Sequence, residues 1–257
     1  MELQGKVAFI TGGGKRIGGT IARRFFQAGA DLILMARTLE PMEEMAREAQ
    51  AAGRQVLVCQ GDVTREDQIQ DAVKKGLDKF GRIDILVNNA GMAGAIAPVT
   101  DISLEDWNEA LAVNLTSAFL CCKHVIPSMR ERRSGCIINI SSLSGMKGAM
   151  NRTPYCSTKW GMIGLSRAVT EEVGSYGIRV NTVCPGAVEG ERFDAVLRQR
   201  AVDNGISYEE MKERTFKETP MRRMVTEEEV AATTLFLASD AASGITGAEI
   251  LVSGGRR

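Results

Sequence analysis

Tyr155 and Lys159 stand four residues apart in Tyr155-Cys156-Ser157-Thr158-Lys159, at the start of a stretch patterned as a helix. Side chains at i and i+4 share a helix face, so the phenol and the ammonium can point into one cleft. An ordinary phenol titrates at about 10. A neighbouring ammonium favours the phenolate and brings proton transfer within reach of neutral pH. Ser142, thirteen residues earlier, closes a β-rich run and could hydrogen-bond a substrate carbonyl on the same rim. Such a Tyr–Lys pair is common by chance. Its weight comes from its place, one strand–helix unit beyond a cofactor half-site.

That half-site is Thr11-Gly12-Gly13-Gly14-Lys15-Arg16-Ile17-Gly18, which follows the first apolar run and opens the first helix. Glycines there let the backbone approach a pyrophosphate, and the helix N-terminus offers free N–H groups and positive potential. A plain β–α turn would need one or two glycines, not four in seven residues, so a dinucleotide is expected. An acid about 20 residues on would hold the adenosine ribose of NAD. Here the second run ends Leu34-Met35-Ala36-Arg37, with Ala36 where the acid would stand. Lys15, Arg16 and Arg37, with no carboxylate, favour a 2′-phosphate and hence NADP(H) over NAD(H). The blander reading makes them three solvated surface cations.

These groups need a scaffold, and the chain supplies a regular one. Apolar β-rich runs at Val7–Ile10, Asp31–Ala36, Gln55–Gln60, Ile83–Val87, Gly135–Ile140, Ile178–Val183 and Glu249–Val252 alternate with helical patterns. Pro41–Ala52, Glu66–Phe80, Leu104–Arg132 and Pro154–Ser175 are examples of the latter. Runs that are apolar almost throughout belong in a parallel sheet covered on both faces. Gly29, Gly53, Gly81 and Gly177 fall where left-handed helix stops are wanted. The expected fold is α/β: one doubly wound domain over residues 1–257, with a seven-stranded parallel sheet. Only Glu189–Pro220 breaks the rhythm, and it reads as a helical lid over a strand end.

Bulk composition fits a globular enzyme and excludes several other classes. Of 257 residues 44% are hydrophobic and 25% charged, and 32 basic residues balance 32 acidic ones. No global field attracts nucleic acid or an anionic membrane. The six cysteines lack Cys-x-x-Cys spacing, and His124 is the only histidine, so no metal cage is expected. Reduced thiols, no signal core and no apolar run of about 18 residues suggest a cytoplasmic protein. His124, Cys156 and Trp107 receive no chemical role.

Taken in order, Thr11-Gly12…Gly18, Asp62-Val63, Asn88-Asn89-Ala90-Gly91, Asn114, Ser142, Tyr155…Lys159 and Pro185-Gly186 span nearly the whole chain. In this the sequence resembles the short-chain dehydrogenase/reductase superfamily, and within it the NADP(H)-type 3-oxoacyl reductase-like members. The resemblance implies a Rossmann-like fold, with Gly12, Gly14, Ile17 and Gly18 among the cofactor residues. Asp62 and Val63 would contact adenine, and Asn89, Ala90 and Gly91 the adenosine ribose. Pro185, Gly186 and Val188 would lie against the nicotinamide. Ser142 would orient the carbonyl, Tyr155 would pass the proton, Lys159 would hold the nicotinamide ribose, and Asn114 would hold a relay water. It also implies a homotetramer, with Leu104–Arg132 and Pro154–Ser175 at interfaces. Three positions depart from the pattern: Arg16 replaces the middle glycine, Gly190 a threonine, and Ser253 an aspartate.

The expected reaction is hydride transfer between NADP(H) and a small-molecule carbonyl or secondary alcohol. An NAD(H)-dependent alcohol dehydrogenase, a non-catalytic nucleotide sensor, and a lyase or epimerase with a held cofactor are the alternatives. Substrate contacts are expected from Ser142, Ser144, Arg152, Tyr155 and Arg192. Lys147 and Arg152 in the loop before Tyr155, with Arg192 at the lid, would favour an anionic substrate. Glu189 and Glu191 beside Arg192 argue the other way.

Overall fold

The computed structural model describes residues 1–257, the Arg192 side chain excepted. Seven strands form one parallel sheet: β1 Val7–Thr11, β2 Asp31–Ala36, β3 Val56–Gln60, β4 Ile85–Asn88, β5 Gly135–Ile140, β6 Ile178–Pro185 and β7 Glu249–Val252. Their order is β3-β2-β1-β4-β5-β6-β7. The chain winds outward one way from β1 and then back the other way from β4. The crevice between β1 and β4 is the switch point at which such sheets bind ligands.

Alternation along each strand feeds two cores. On β1, Ala8 and Ile10 face the cluster built with helices α1 Arg16–Gln27, α2 Glu40–Ala51 and α9 Glu227–Ala238. Val7 and Phe9 face the opposite cluster, covered by α3 Glu66–Phe80, α5 Ser117–Arg132 and α6 Thr153–Val173. A strand dry on both faces has no polar face to show, which is why these runs are continuously apolar. The four expected stop glycines all have positive φ, between 70° and 100°.

Boundaries differ slightly from the sequence reading. The fourth strand starts two residues later than expected, and β6 runs on to Pro185. The expected Leu104–Arg132 helix is three pieces: α4 Leu104–Leu111, a π turn Ala112–Thr116, and α5. By length and composition this stretch could cross a membrane, its most apolar window having a mean hydropathy of 1.3. The expectation of no such stretch is thereby corrected. Here Ala118, Cys121, Cys122, Val125 and Met129 are buried against the sheet, as in a core helix. Glu189–Pro220 folds into α7 Glu191–Asp203 and α8 Tyr208–Lys217, packed together through Leu197, Ala201 and Met211.

Candidate active site

One cavity of about 800 Å³ runs along the carboxyl ends of the central strands, from the glycine turn to α7 and α8. Its first end is made by β1 and α1. Gly12 has φ +65° and turns the chain out of the strand. A side chain on Gly18 would run into the Gly12 carbonyl and the Asn89 amide, so the helix packs on its own loop only with glycine there. No side chain caps the α1 N-terminus, leaving its first N–H groups for an anion. These features fit a dinucleotide pyrophosphate. Arg16, at the family's middle-glycine position, is itself left-handed at φ +52°, a conformation that costs a non-glycine residue about 1 kcal/mol or more.

Not every expected cofactor residue borders this space. Gly12, Lys15, Arg16, Ile17, Gly18, Asn89, Ala90, Gly91, Pro185, Gly186 and Val188 do. Thr11, Gly14, Arg37, Asp62 and Val63 do not. Thr11 is buried and joins β1 to β4: its Oγ1 accepts the N–H groups of Asn89 and Ala90, both at 3.1 Å. Gly14 lies where a side chain would press on Pro41 and Met42. Arg37 is exposed at the end of β2. Asp62 accepts the Thr64 N–H at 2.9 Å and its hydroxyl at 2.8 Å. Those bonds, and to a lesser degree Arg37 and Arg65, hold its carboxyl below the usual range.

The middle of the cavity carries Ser142, Tyr155 and Lys159. Lys159 is almost wholly buried on α6 and donates to the Ile140 carbonyl, the last of β5, at 2.8 Å. Its Nζ lies 5.8 Å from the centre of the Tyr155 ring. Ser142 Oγ accepts the Ser144 N–H at 3.1 Å, which leaves the hydroxyl proton available to a substrate oxygen. A side chain on Gly145 would collide with the Lys159 carbonyl and Ser141 Oγ, so this glycine lets α6 press against the loop after β5.

Asn114 stands apart from the cavity wall. It sits fully buried in the π turn, its Oδ1 accepting the Met92 N–H at 2.7 Å. Its Nδ2 donates to the Met92 carbonyl at 3.2 Å and to Thr158 Oγ1 at 3.1 Å. The side chain therefore clamps the loop after β4 to α6, one residue from Lys159. π turns recur at functional sites, where the extra residue re-aims a side chain.

At the far end, Ser144, Lys147 and Arg152 line the wall. Arg152 is buried, donates to the Ala93 carbonyl at 3.3 Å and lies 4.5 Å from the Tyr155 ring centre. Arg192 belongs to α7, but its side chain lies outside the described residues. Gly190 has open space where a β-carbon would stand, at φ +130°. Ser253 is buried and donates to the Arg256 carbonyl at 2.6 Å, a local structural bond.

Sequence reasoning passed over Phe193, Val196, Arg200 and Asp203, which line the cavity from one face of α7, and Arg256. Their spacing of three, four and three residues was the available signal. It also missed Glu227, at the mouth near Arg16, whose carboxyl burial pushes upward.

Comparison with known proteins shows the family. The model of the family described as enoyl-(acyl carrier protein) reductase matches residues 13–257. A 3-oxoacyl-(acyl-carrier-protein) reductase of Chlamydia trachomatis is 37% identical over 254 residues, 98% of each protein. Among solved structures, an NAD+-bound xylitol dehydrogenase superposes with a TM-score of 0.95 at 30% identity, covering 99% of this chain and 100% of that one. A variant actinorhodin polyketide ketoreductase with NADPH gives 0.91 at 33% identity, covering 97% and 96%.

Proposed function

The chain belongs to the short-chain dehydrogenase/reductase superfamily as an oxidoreductase of carbonyls and alcohols, and from that premise we propose an NADP(H)-dependent reductase in which Tyr155 exchanges the proton. The observation that carries the reading is that the glycine turn, Ser142, Tyr155 and Lys159 border one continuous cavity.

A bound nicotinamide supplies or accepts the hydride at the carbonyl carbon. In the reducing direction Ser142 donates a hydrogen bond to the carbonyl oxygen and Tyr155 delivers its proton to that oxygen. Lys159 steadies the phenolate that remains and holds the nicotinamide ribose. Asn114 keeps the loop and helix that frame Lys159 in register. Asn89, Ala90 and Gly91 would flank the adenosine side of a bound cofactor, Pro185, Gly186 and Val188 would flank its nicotinamide, and Asp62 and Val63, beyond the cavity wall, would meet its base.

For the cofactor, Lys15 and Arg16 at the cavity wall and Arg37 beyond β2 offer charge to a 2′-phosphate, and β2 ends without a carboxylate. NAD(H) is the second reading, favoured by one observation: Glu191 lies 3.7 Å from the Arg16 guanidinium and competes for it. That pair is largely exposed and holds weakly, so a phosphate displaces it. We place the enzyme in the cytoplasm, in keeping with its free cysteines, and read it as a homotetramer, as the family resemblance implies. The cations Lys147 and Arg152 point to an anionic carbonyl substrate.

The test is a panel of ketones and secondary alcohols offered with each nicotinamide cofactor, following reduced-cofactor absorbance. Stoichiometric cofactor turnover with NADP(H) preferred is the expected result. Substrate conversion with no net cofactor oxidation or reduction would instead mean a lyase or epimerase.

A further inference from the structure

Four cationic or acidic groups meet where α7 crosses the far end of the cavity, and their pairing leaves one over. Arg256 is bonded to Glu218. Lys147 gives its ammonium to the Arg257 backbone oxygen at 3.2 Å. Arg200 is half-buried on the cavity face of α7, one turn from Val196, and its guanidinium has neither an ion pair nor a hydrogen bond among the described residues. Burial, and after it the neighbouring Arg256 charge, disfavour its charged form, while Glu218 pulls the other way more weakly. The same neighbours and burial act on Lys147.

A guanidinium kept partly out of water without a protein partner is an unfavourable arrangement, and it faces the cavity, where an anionic ligand would complete it. Arg152 stands 4.5 Å from the Tyr155 ring centre and already donates to the Ala93 carbonyl, so it adds positive charge at the reacting end rather than at the carboxylate end. From these observations we infer that Arg200 binds the carboxylate end of the substrate, with Arg256 and Lys147 completing the positive wall, so that the enzyme acts on keto or hydroxy acids whose reacting carbon sits at Tyr155. A planar guanidinium with its donors unspent matches a carboxylate bidentately, which a lysine does not. The apolar residues Phe193 and Val196 on the same helix face suit the hydrocarbon between the two ends. The inference rests on the reductase reading and narrows its substrate class.

The experiment compares a homologous series of methyl-ketone carboxylates with their neutral methyl esters, using NADPH. Wild type, Arg200→Gln and Arg198→Gln are measured, Arg198 being an exposed cation on the same helix against Tyr208. Wild type should prefer the acid at one chain length. Arg200→Gln should lower the acid-to-ester ratio of kcat/KM by about 10- to 150-fold, the span of a charge-assisted hydrogen bond, and Arg198→Gln should not. An ester preferred by wild type, a ratio unchanged in Arg200→Gln, or equal losses in both variants would overturn the inference and leave the reductase reading standing. Should no ketone turn over, the reductase reading fails, and calorimetry with glutarate decides the anion site separately. Weaker glutarate binding in Arg200→Gln alone supports it; no binding, or equal binding by all three proteins, overturns it.

Discussion

Lys159 is nearly buried and donates at 2.8 Å to the Ile140 carbonyl, and a buried ammonium is tolerated where several acceptors share its three N–H groups. Ribose hydroxyls beside Tyr155 would be two of those acceptors. Lys159→Ala should therefore weaken cofactor binding and lower turnover together, which fluorescence titration and steady-state rates will show; loss of one without the other contradicts the double role. Arg37→Ala should erase much of the NADP(H) preference, worth about 1.5–3 kcal/mol or 10- to 150-fold. Equal affinities of wild type for both cofactors would remove the phosphate clamp. At this scale the Tyr155–Lys159 pair was legible because helix spacing alone puts the two on one face. Arg200 was not, since its burial depends on how α7 and α8 fold back over the sheet. Nor was the work of Asn114, whose partners Met92 and Thr158 are distant in sequence.

Among the elements, α9 carries the strongest local lock. Thr226 and Glu229 cap it reciprocally, and Arg223 grips Glu229 at 2.6 and 2.9 Å. The Arg223 bonds, then the Thr226 N–H, pull the Glu229 carboxyl down to about 2. An unfolded glutamate titrates at about 4.3, so the lock stabilises fully above that pH and is lost as pH falls toward 2. Because the Glu229 side chain is 38% exposed, screening reduces the benefit to about 1 kcal/mol. Glu229→Gln should lower stability by that amount at pH 7, and the gap to wild type should close in acid denaturation. A gap that persists at pH 2 would mean the charge is irrelevant. Strands β2, β5 and β7 were legible to the residue because each is bounded by glycine, charge or turn residues. The break inside Leu104–Arg132 was not, because bonds from Asn114 to other elements accompany the π turn and nothing local announces it.

For the molecule as a whole, the fold class was readable from the alternation of apolar runs and helices, while its assembly was not. Leu104, Phe119 and Trp160 are 73%, 49% and 52% exposed on α4, α5 and α6. Large apolar side chains on adjoining helices commonly mark an association surface. Sedimentation should find four chains per particle, and Trp160→Glu should shift it to smaller species. A wild-type monomer at micromolar concentration would contradict the assembly.

The central claim is that this cavity transfers hydride and that Tyr155 carries the accompanying proton. Single-turnover oxidation of enzyme-bound NADPH by the best ketone of the panel, in wild type and Tyr155→Phe, tests it most directly. NADPH affinity should be nearly equal in the two proteins, and the hydride-transfer rate should be lower by about two to four orders of magnitude in the variant, the usual weight of a general acid. An unchanged rate in Tyr155→Phe would contradict it.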